Sequence, residues 1–340
     1  MKFIHIADVH WGVRPEREQT FGRIREQEIK ETFQRVIDHA NKQQVDLLLI
    51  AGDLFDQPPT QQELREVDYL LSRLNHTRTV LIAGNHDHLE PHDVFSQYKW
   101  NSEVYLLDGK QRDHISFEDL ETTIYGFSYW KNQITKPLYD RMKLDESEGS
   151  DFSILLAHGG DESHIPIQRE TLKWSGFDYI ALGHIHKPMK VGSELYRYCG
   201  TPLACSVSEA QQQKGIIMVE MGAKGEVKTT VLPLEPLRQV KVVKGTLEEV
   251  LEESCADYVT VILTDKADLD VIDMQERIRL AFPNLLEIRR ENLRKADYTR
   301  TLQTEELLDP YELCCSFLKD LDEEEKTILQ DVLHTVQEVK

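Results

Sequence analysis

The chain has 340 residues, 40% hydrophobic and 29% charged, with a formal net charge of −20 at pH 7. That length suits a large catalytic domain with a smaller companion, and the composition is that of a globular protein able to bury a sizeable core. The acidity counts against a solitary nucleic-acid binder, and no apolar run reaches the ~18 residues that would span a bilayer.

In chain order, Met1 to Ile6 goes straight into a strand pattern, with no charged-then-apolar leader before it. Strands are predicted over Lys2–Ala7, Asp46–Ile50, Thr79–Ile82, Thr123–Phe127, Ser153–Ala157, Tyr179–Leu182 and Gly215–Glu220. Between the first two, Glu26 to Asn41 has helical spacing, with Ile29, Phe33, Val36, Ile37 and Ala40 on one face. This alternation predicts a layered α/β fold. The Pro-containing stretch 232–236 marks a boundary. Beyond it, strands over Gln239–Lys244, Tyr258–Leu263 and Leu285–Arg289 alternate with helices over Leu247–Glu253 and Met274–Phe282. The result is a small α/β module, marginal alone but viable against a larger domain. Glu291 to Gln303 is a polar linker, and two acidic amphipathic helices follow over Asp309–Phe317 and Glu323–Val339.

The acid is unevenly spread. Residues 301–340 carry eleven Asp or Glu against three Lys, whereas Arg14 to Arg25 contains four Arg. Five cysteines without a CxxC pair argue for a reducing cytoplasm, with adjacent Cys314 and Cys315 read as core thiols.

Five motifs sit where strands pass into loops: Asp8-Val9-His10, Gly52-Asp53-Leu54-Phe55-Asp56, Gly84-Asn85-His86-Asp87, Ala157-His158-Gly159 and Gly183-His184-Ile185-His186. Open α/β sheets bind ligands at such strand ends. Carboxylate, amide and imidazole together suit Mn2+, Fe2+ or Zn2+ better than Ca2+ or Mg2+, and the lack of thiolates argues against a structural zinc site. Seven such ligands exceed the needs of one ion, whereas two ions sharing a carboxylate account for them.

In order and residue type the five motifs resemble the calcineurin-like metallophosphoesterase superfamily, over the first two thirds of the chain. The resemblance implies a layered β-sandwich flanked by helices. It also implies one ion held by Asp8, His10, Asp53 and His186, and a second by Asp53, Asn85, His158 and His184, with Asp53 as the bridge. His86 matches the histidine that protonates the leaving oxygen. Asp8-Val9-His10-Trp11-Gly12, the run from Gly52 to Asp56 and the length of the catalytic domain resemble the SbcD-type nuclease family more narrowly. So, more loosely, do Tyr258–Leu263, Arg277 to Arg290 and Leu308-Asp309-Pro310. That implies a nuclease domain over 1–235, a capping, DNA-binding domain over 236–297, and a linker with C-terminal helices over 298–340 that engage an SbcC-type coiled-coil ATPase subunit. It implies a cytoplasmic DNA exo- or endonuclease using two divalent ions, Mn2+ first and Fe2+, Zn2+ or Mg2+ as alternatives. A homodimer fits the family; a membrane does not. Asp56 receives no role.

Blander readings stand beside these. Arg14 and Arg17 are candidate DNA contacts, with Arg23 and Arg25 beside them; interleaved Glu16, Glu18 and Glu26 equally suit a solvated face. Trp11, Tyr129 and Trp130 could stack on bases, although packing is the simpler reading. His88, His92, His114 and His164 are read as loop histidines. In the tail, Leu313, Phe317 and Leu318 suit either the chain's own catalytic domain or a partner groove. Two rival functions remain: a stand-alone enzyme for small phosphodiesters or cyclic nucleotides, and a metal-free scaffold of the same fold.

Overall fold

Apolar runs with a period of two become strands, and that period sorts each strand's side chains between two layers. The computed structural model describes residues 1–15, 19, 21–109, 113–144, 152–223, 225–265, 271–291, 325, 326 and 329. The chain begins β1 (Lys2–Ile6), α1 (Gly22–Gln43), β2 (Leu47–Ala51), α2 (Gln61–Leu71), β3 (Arg78–Ile82), β4 (Val104–Leu106). It continues β5 (Asp113–Phe117), β6 (Thr122–Gly126), β7 (Phe152–His158), α3 (Arg169–Lys173), β8 (Tyr179–Gly183), β9 (Met189–Ser193), β10 (Tyr196–Tyr198), β11 (Gly215–Met221) and β12 (Val227–Pro233). The smaller module holds β13 (Val240–Gly245), α4 (Leu247–Glu252), β14 (Tyr258–Leu263), α5 (Val271–Ala281) and β15 (Leu285–Arg290).

Two six-stranded sheets form a sandwich, ordered β12-β11-β1-β2-β3-β4 and β5-β6-β7-β8-β10-β9. In β2, Leu47, Leu49 and Ala51 point between the sheets, where Phe3, Val80 and Ile82 meet Ile124, Ile154, Leu156 and Tyr179. Leu48 and Ile50 point the other way, onto Phe33, Val36, Ile37 and Ala40 of α1 and Leu64, Val67 and Leu71 of α2. The predicted apolar face of α1 is thus the buried one. A capping box starts α2: Thr60 Oγ1 accepts from Glu63 N–H, and the Glu63 carboxylate accepts from Thr60 N–H. Behind the second sheet, Tyr125, Phe127, Leu155 and Leu182 pack on Tyr139 and Leu172.

All seven strands predicted for the larger domain are present. Overlooked were α2, β4, β5, β9, β10 and β12. Among these, β4, β5, β9 and β12 are outer strands of the two sheets. An outer strand such as Asp113–Phe117 alternates exposed with half-buried positions, so its apolar signal is weak until a neighbour pairs with it.

The third sheet, β13-β14-β15, is parallel, with a core of Val243, Val259, Val261, Met274, Ile278 and Phe282. It sits on the larger domain where Val240 and Tyr258 pack with Phe21, Ala204, Val207 and Ala210. There Glu28 accepts from Tyr258 Oη at 2.9 Å and from Arg238 Nη1 at 2.5 Å. Residues 1–291 form one compact unit and 292–340 another. The expected tail helices, with Leu313, Cys314, Cys315, Phe317 and Leu318, lie outside the described residues, as does Arg17. Among the described residues no helix is long and apolar enough to cross a membrane.

Candidate metal centre

Strands β1, β2 and β3 run parallel in the first sheet, and β7 and β8 run parallel in the second. Their C-terminal loops meet at one end of the sandwich and carry Asp8 and His10, Asp53, Asn85 and His86, His158, and His184 and His186 in turn. Backbone pairing continues past the strands: Asp8 N–H donates to Gly52 O at 3.1 Å and His10 N–H to Asp53 O at 3.1 Å. The loops are sharply bent, with Asp8, His10, Asp53 and His184 at φ of 54°, 51°, 49° and 93°. Left-handed backbone at four non-glycine residues costs ~1–3 kcal/mol each and persists where the surroundings over-determine it. Close approach also demands small residues. A Cβ on Gly183 would lie 2.0 Å from Ala51 O, and one on Gly84 would lie 2.2 Å from Asp53 Oδ1.

The seven predicted ligands come together. Asp8, His10 and His186 form one cluster of donor atoms; Asp53, His158 and His184 form another. Asn85 Oδ1 joins the second, 3.0 Å from His158 Nε2 and 3.1 Å from His184 Nδ1. Asp53 Oδ2 lies between them, 3.3 Å from His158 Nε2 and 4.0 Å from His10 Nε2. The other oxygen, Asp53 Oδ1, accepts from His86 N–H at 2.9 Å. His86 Nδ1 lies 3.0 Å from the Asp56 carbonyl, and its half-exposed ring meets the His10 ring edge-on with centroids 4.7 Å apart. His86 also falls within a donor cluster with His10 and Asp53.

The second nitrogen of each predicted histidine ligand faces an acceptor. His10 Nδ1 lies 3.2 Å from Asp56 Oδ1, and His158 Nδ1 lies 2.9 Å from Ala51 O. His184 Nε2 lies 2.7 Å from Asp161 Oδ2, and His186 Nδ1 lies 3.2 Å from Glu209 Oε1. Acceptors there place the hydrogens on those nitrogens, so the inward nitrogens keep their lone pairs. His10 Nε2 and His186 Nε2 then face each other at 3.1 Å with no hydrogen between them. His158 Nε2 and His184 Nδ1 likewise converge on the Asn85 and Asp53 oxygens. Lone pairs so crowded need a cation, and the donor set fits borderline divalent metals.

Without a cation, protons take over that neutralising role. Burial opposes charge on His158, but the Asp53 carboxylate lifts it to about 9. Burial works against Asp53 as well, yet His158, His10 and His86 hold it well below the usual carboxylate range. Asp87, fully buried behind the site, is pushed up to about 7 by burial and by the Asp53 charge. Its oxygens accept from Gly84 N–H at 2.6 Å and Phe55 N–H at 3.1 Å, tying two ligand loops together.

Sequence reasoning passed over Asp161 and Glu209 and left Asp56 without a role. Asp161 had a signal, three residues beyond His158; Glu209, 23 residues beyond His186, had none. His164, expected to be an uninvolved loop histidine, shares Asp161 with His184 in a further donor cluster. Arg14 directs its Nε to Glu26 at 2.7 Å on an exposed face. Arg25 is buried, donates to the Ala204 and Cys205 carbonyls, and lies 4.3 Å from the Tyr258 ring centroid. Trp11 and Tyr129 are buried as packing residues, and Tyr129 Oη donates to His158 O at 3.0 Å.

Residues 1–188 match the calcineurin-like phosphoesterase family, and residues 234–321 match the SbcD_C family, described as the type 5 capsule protein repressor C-terminal domain. The SbcD subunit of nuclease SbcCD from Staphylococcus epidermidis is 25% identical over 322 residues, 84% of each chain. The protein of that name from Staphylococcus saprophyticus is 28% identical over 284 residues, 74% of each chain. Uncharacterized metallophosphoesterase YhaO of Bacillus subtilis is 32% identical over 213 residues, covering 57% of this chain and 50% of its own. A solved structure, GAP50, the anchor in the inner membrane complex of Plasmodium, aligns over 69% of this chain and 89% of its own at 13% identity, with a TM-score of 0.38. The chain belongs to the calcineurin-like phosphoesterases, hydrolases of phosphodiester bonds, and is similar over most of its length to SbcD-type nucleases.

Proposed function

We propose that this chain is the nuclease component of an SbcCD-type complex and cleaves DNA phosphodiesters with two divalent ions, Mn2+ by preference. One observation carries the reading: Asp53 lies between two groups of inward-facing lone pairs, which suits a carboxylate shared by two cations. Asp8, His10, Asp53 and His186 would hold one ion; Asp53, Asn85, His158 and His184 would hold the other. When bound, such ions acidify a water and neutralise charge on the phosphate.

The protein's own groups do the rest. Asp56, Asp161, Glu209 and the Ala51 carbonyl fix the ring orientation of the histidines. His86, with Nδ1 directed to the Asp56 carbonyl, presents Nε2 on the open side, where it can protonate the departing sugar oxygen. Residues 1–235 form the nuclease domain, 236–297 a capping module that contacts DNA, and 298–340 the linker and helices that bind the ATPase subunit. The two staphylococcal SbcD relatives support the DNA substrate and the ATPase partner. Free Cys199, Cys205 and Cys255 suit a reducing cytoplasm.

Asp53→Asn tests the reading: purified without chelator, it should lose both ions and Mn2+-dependent cleavage of linear DNA, whereas His88→Ala should keep both. A full complement of two ions in Asp53→Asn protein defeats the bridging assignment. Turnover of a small bis-phenyl phosphodiester but not of DNA, even with the ATPase subunit present, would favour the small-substrate alternative.

A further inference from the structure

Glu209 ends a short 3-10 turn, Val207–Glu209, and is only 4% exposed. Its Oε1 lies 3.2 Å from His186 Nδ1 and accepts from Ser206 Oγ at 2.9 Å. Its Oε2 accepts from Thr201 Oγ1 at 2.9 Å and pairs with Lys214 Nζ at 2.7 Å. Lys214 Nζ donates in turn to the His186 backbone carbonyl at 2.9 Å. Thr201 N–H reaches that same carbonyl at 3.3 Å. One buried ion pair therefore grips both the ring and the main chain of His186.

Stability alone is a weak reason for such a pair, because desolvating two charges roughly cancels their attraction. The turn is also secured by other means: Arg25 donates to the Ala204 and Cys205 carbonyls, and Val207 and Ala210 pack against Val240 and Tyr258. What the pair adds is direction. An ionised carboxylate can only accept, so His186 carries its hydrogen on Nδ1 and turns the Nε2 lone pair toward His10 Nε2, 3.1 Å away.

We propose that Glu209, braced by Lys214, is a positioning residue that fixes the tautomer and ring orientation of His186 for metal binding. This role rests on the two-ion reading given above. Removing such a partner typically weakens metal affinity 10–100-fold. Because the turn beneath Glu209 is also the seat of the smaller module, one of the two ions is held in a frame that spans both parts of residues 1–291.

The test replaces the pair together, Glu209→Leu with Lys214→Met, so that no uncompensated charge is buried. The metal-free double variant should unfold in urea at or above the wild-type midpoint. Mn2+ titration should show one ion bound ~10–100-fold more weakly and the other unchanged. Two ions at wild-type affinity overturn the role of Glu209. A wild-type protein that itself takes up fewer than two ions defeats the two-ion reading instead, a separate and recognisable failure. Should the variant not fold, 15N NMR of His186 in metal-free wild-type protein decides the matter. Hydrogen on Nδ1 supports the proposal, and hydrogen on Nε2 overturns it.

Discussion

Gly84→Ala changes no proposed ligand, yet it should dismantle the site. The added Cβ would lie 2.2 Å from Asp53 Oδ1, 2.7 Å from Asp53 N and 2.8 Å from His158 Cε1. Ordinary carbon contacts lie at ~3.5–4.0 Å, and one of these neighbours is backbone, so no rotamer change relieves all three. Overpacking of this kind costs about 1–3 kcal/mol. If Asp53 swings away it forfeits the His86 N–H bond of 2.9 Å, a further ~1.5–3 kcal/mol for a charged acceptor. Alanine's smaller unfolded-state entropy offsets under about 1 kcal/mol. The net loss is about 2–5 kcal/mol, or roughly 1 M in urea midpoint at a slope of ~3 kcal/mol/M. Urea unfolding of metal-free protein at pH 7, followed by Mn2+ counting, reads both consequences. Because Asp53 is shared, both ions should weaken together. An unchanged midpoint with two tightly bound ions would refute the packing of the Gly84 loop against Asp53.

Three further outcomes are expected. His86→Ala should keep both ions but cleave DNA ~10²–10⁴-fold more slowly, with a smaller defect on a nitrophenyl phosphodiester whose leaving group departs without a proton; an equal defect on both substrates defeats the acid role, and a lost ion makes His86 a ligand with His10 and Asp53. His5, buried between the sheets 3.1 Å from Tyr179 Oη, is lowered from 6.5 to about 3 by burial and then by Arg197. The unfolded state therefore binds more protons between those values. Stability present above pH 6.5 should be lost as pH falls toward 3, by as much as a few kcal/mol. The metal-free His5→Gln variant should show a shallower decline in urea midpoint from pH 6.5 to 5, and a slope equal to wild type would count against the shift. Truncation before Thr304 should preserve metal-dependent cleavage of small phosphodiesters and abolish co-purification with the ATPase subunit; stoichiometric co-purification would exclude the tail as the docking element.

The sequence by itself determined the central strands and the ligand types. Leu47 to Ala51 is apolar at every position because both faces of β2 are covered, and a glycine with a carboxylate follows directly, so strand, turn and candidate ligand are adjacent in the chain. Helix α1 was equally legible, since its one buried face repeats at helical spacing. Outer strands such as Asp113–Phe117 and Met189–Ser193 were not, because half of each faces solvent and their hydrogen bonds depend on a neighbour that the local pattern does not reveal. The site divides the same way. Asp8 through His186 stand in short motifs at strand ends, whereas Asp56, Asp161 and Glu209 matter through what their oxygens face. Only folding brings Glu209 to His186 across 23 residues and sets Asp53 between two clusters drawn from different sheets. Local patterns specify which groups a loop offers; the direction of a lone pair is decided by the partner on the ring's far side, and that partner is supplied by tertiary packing.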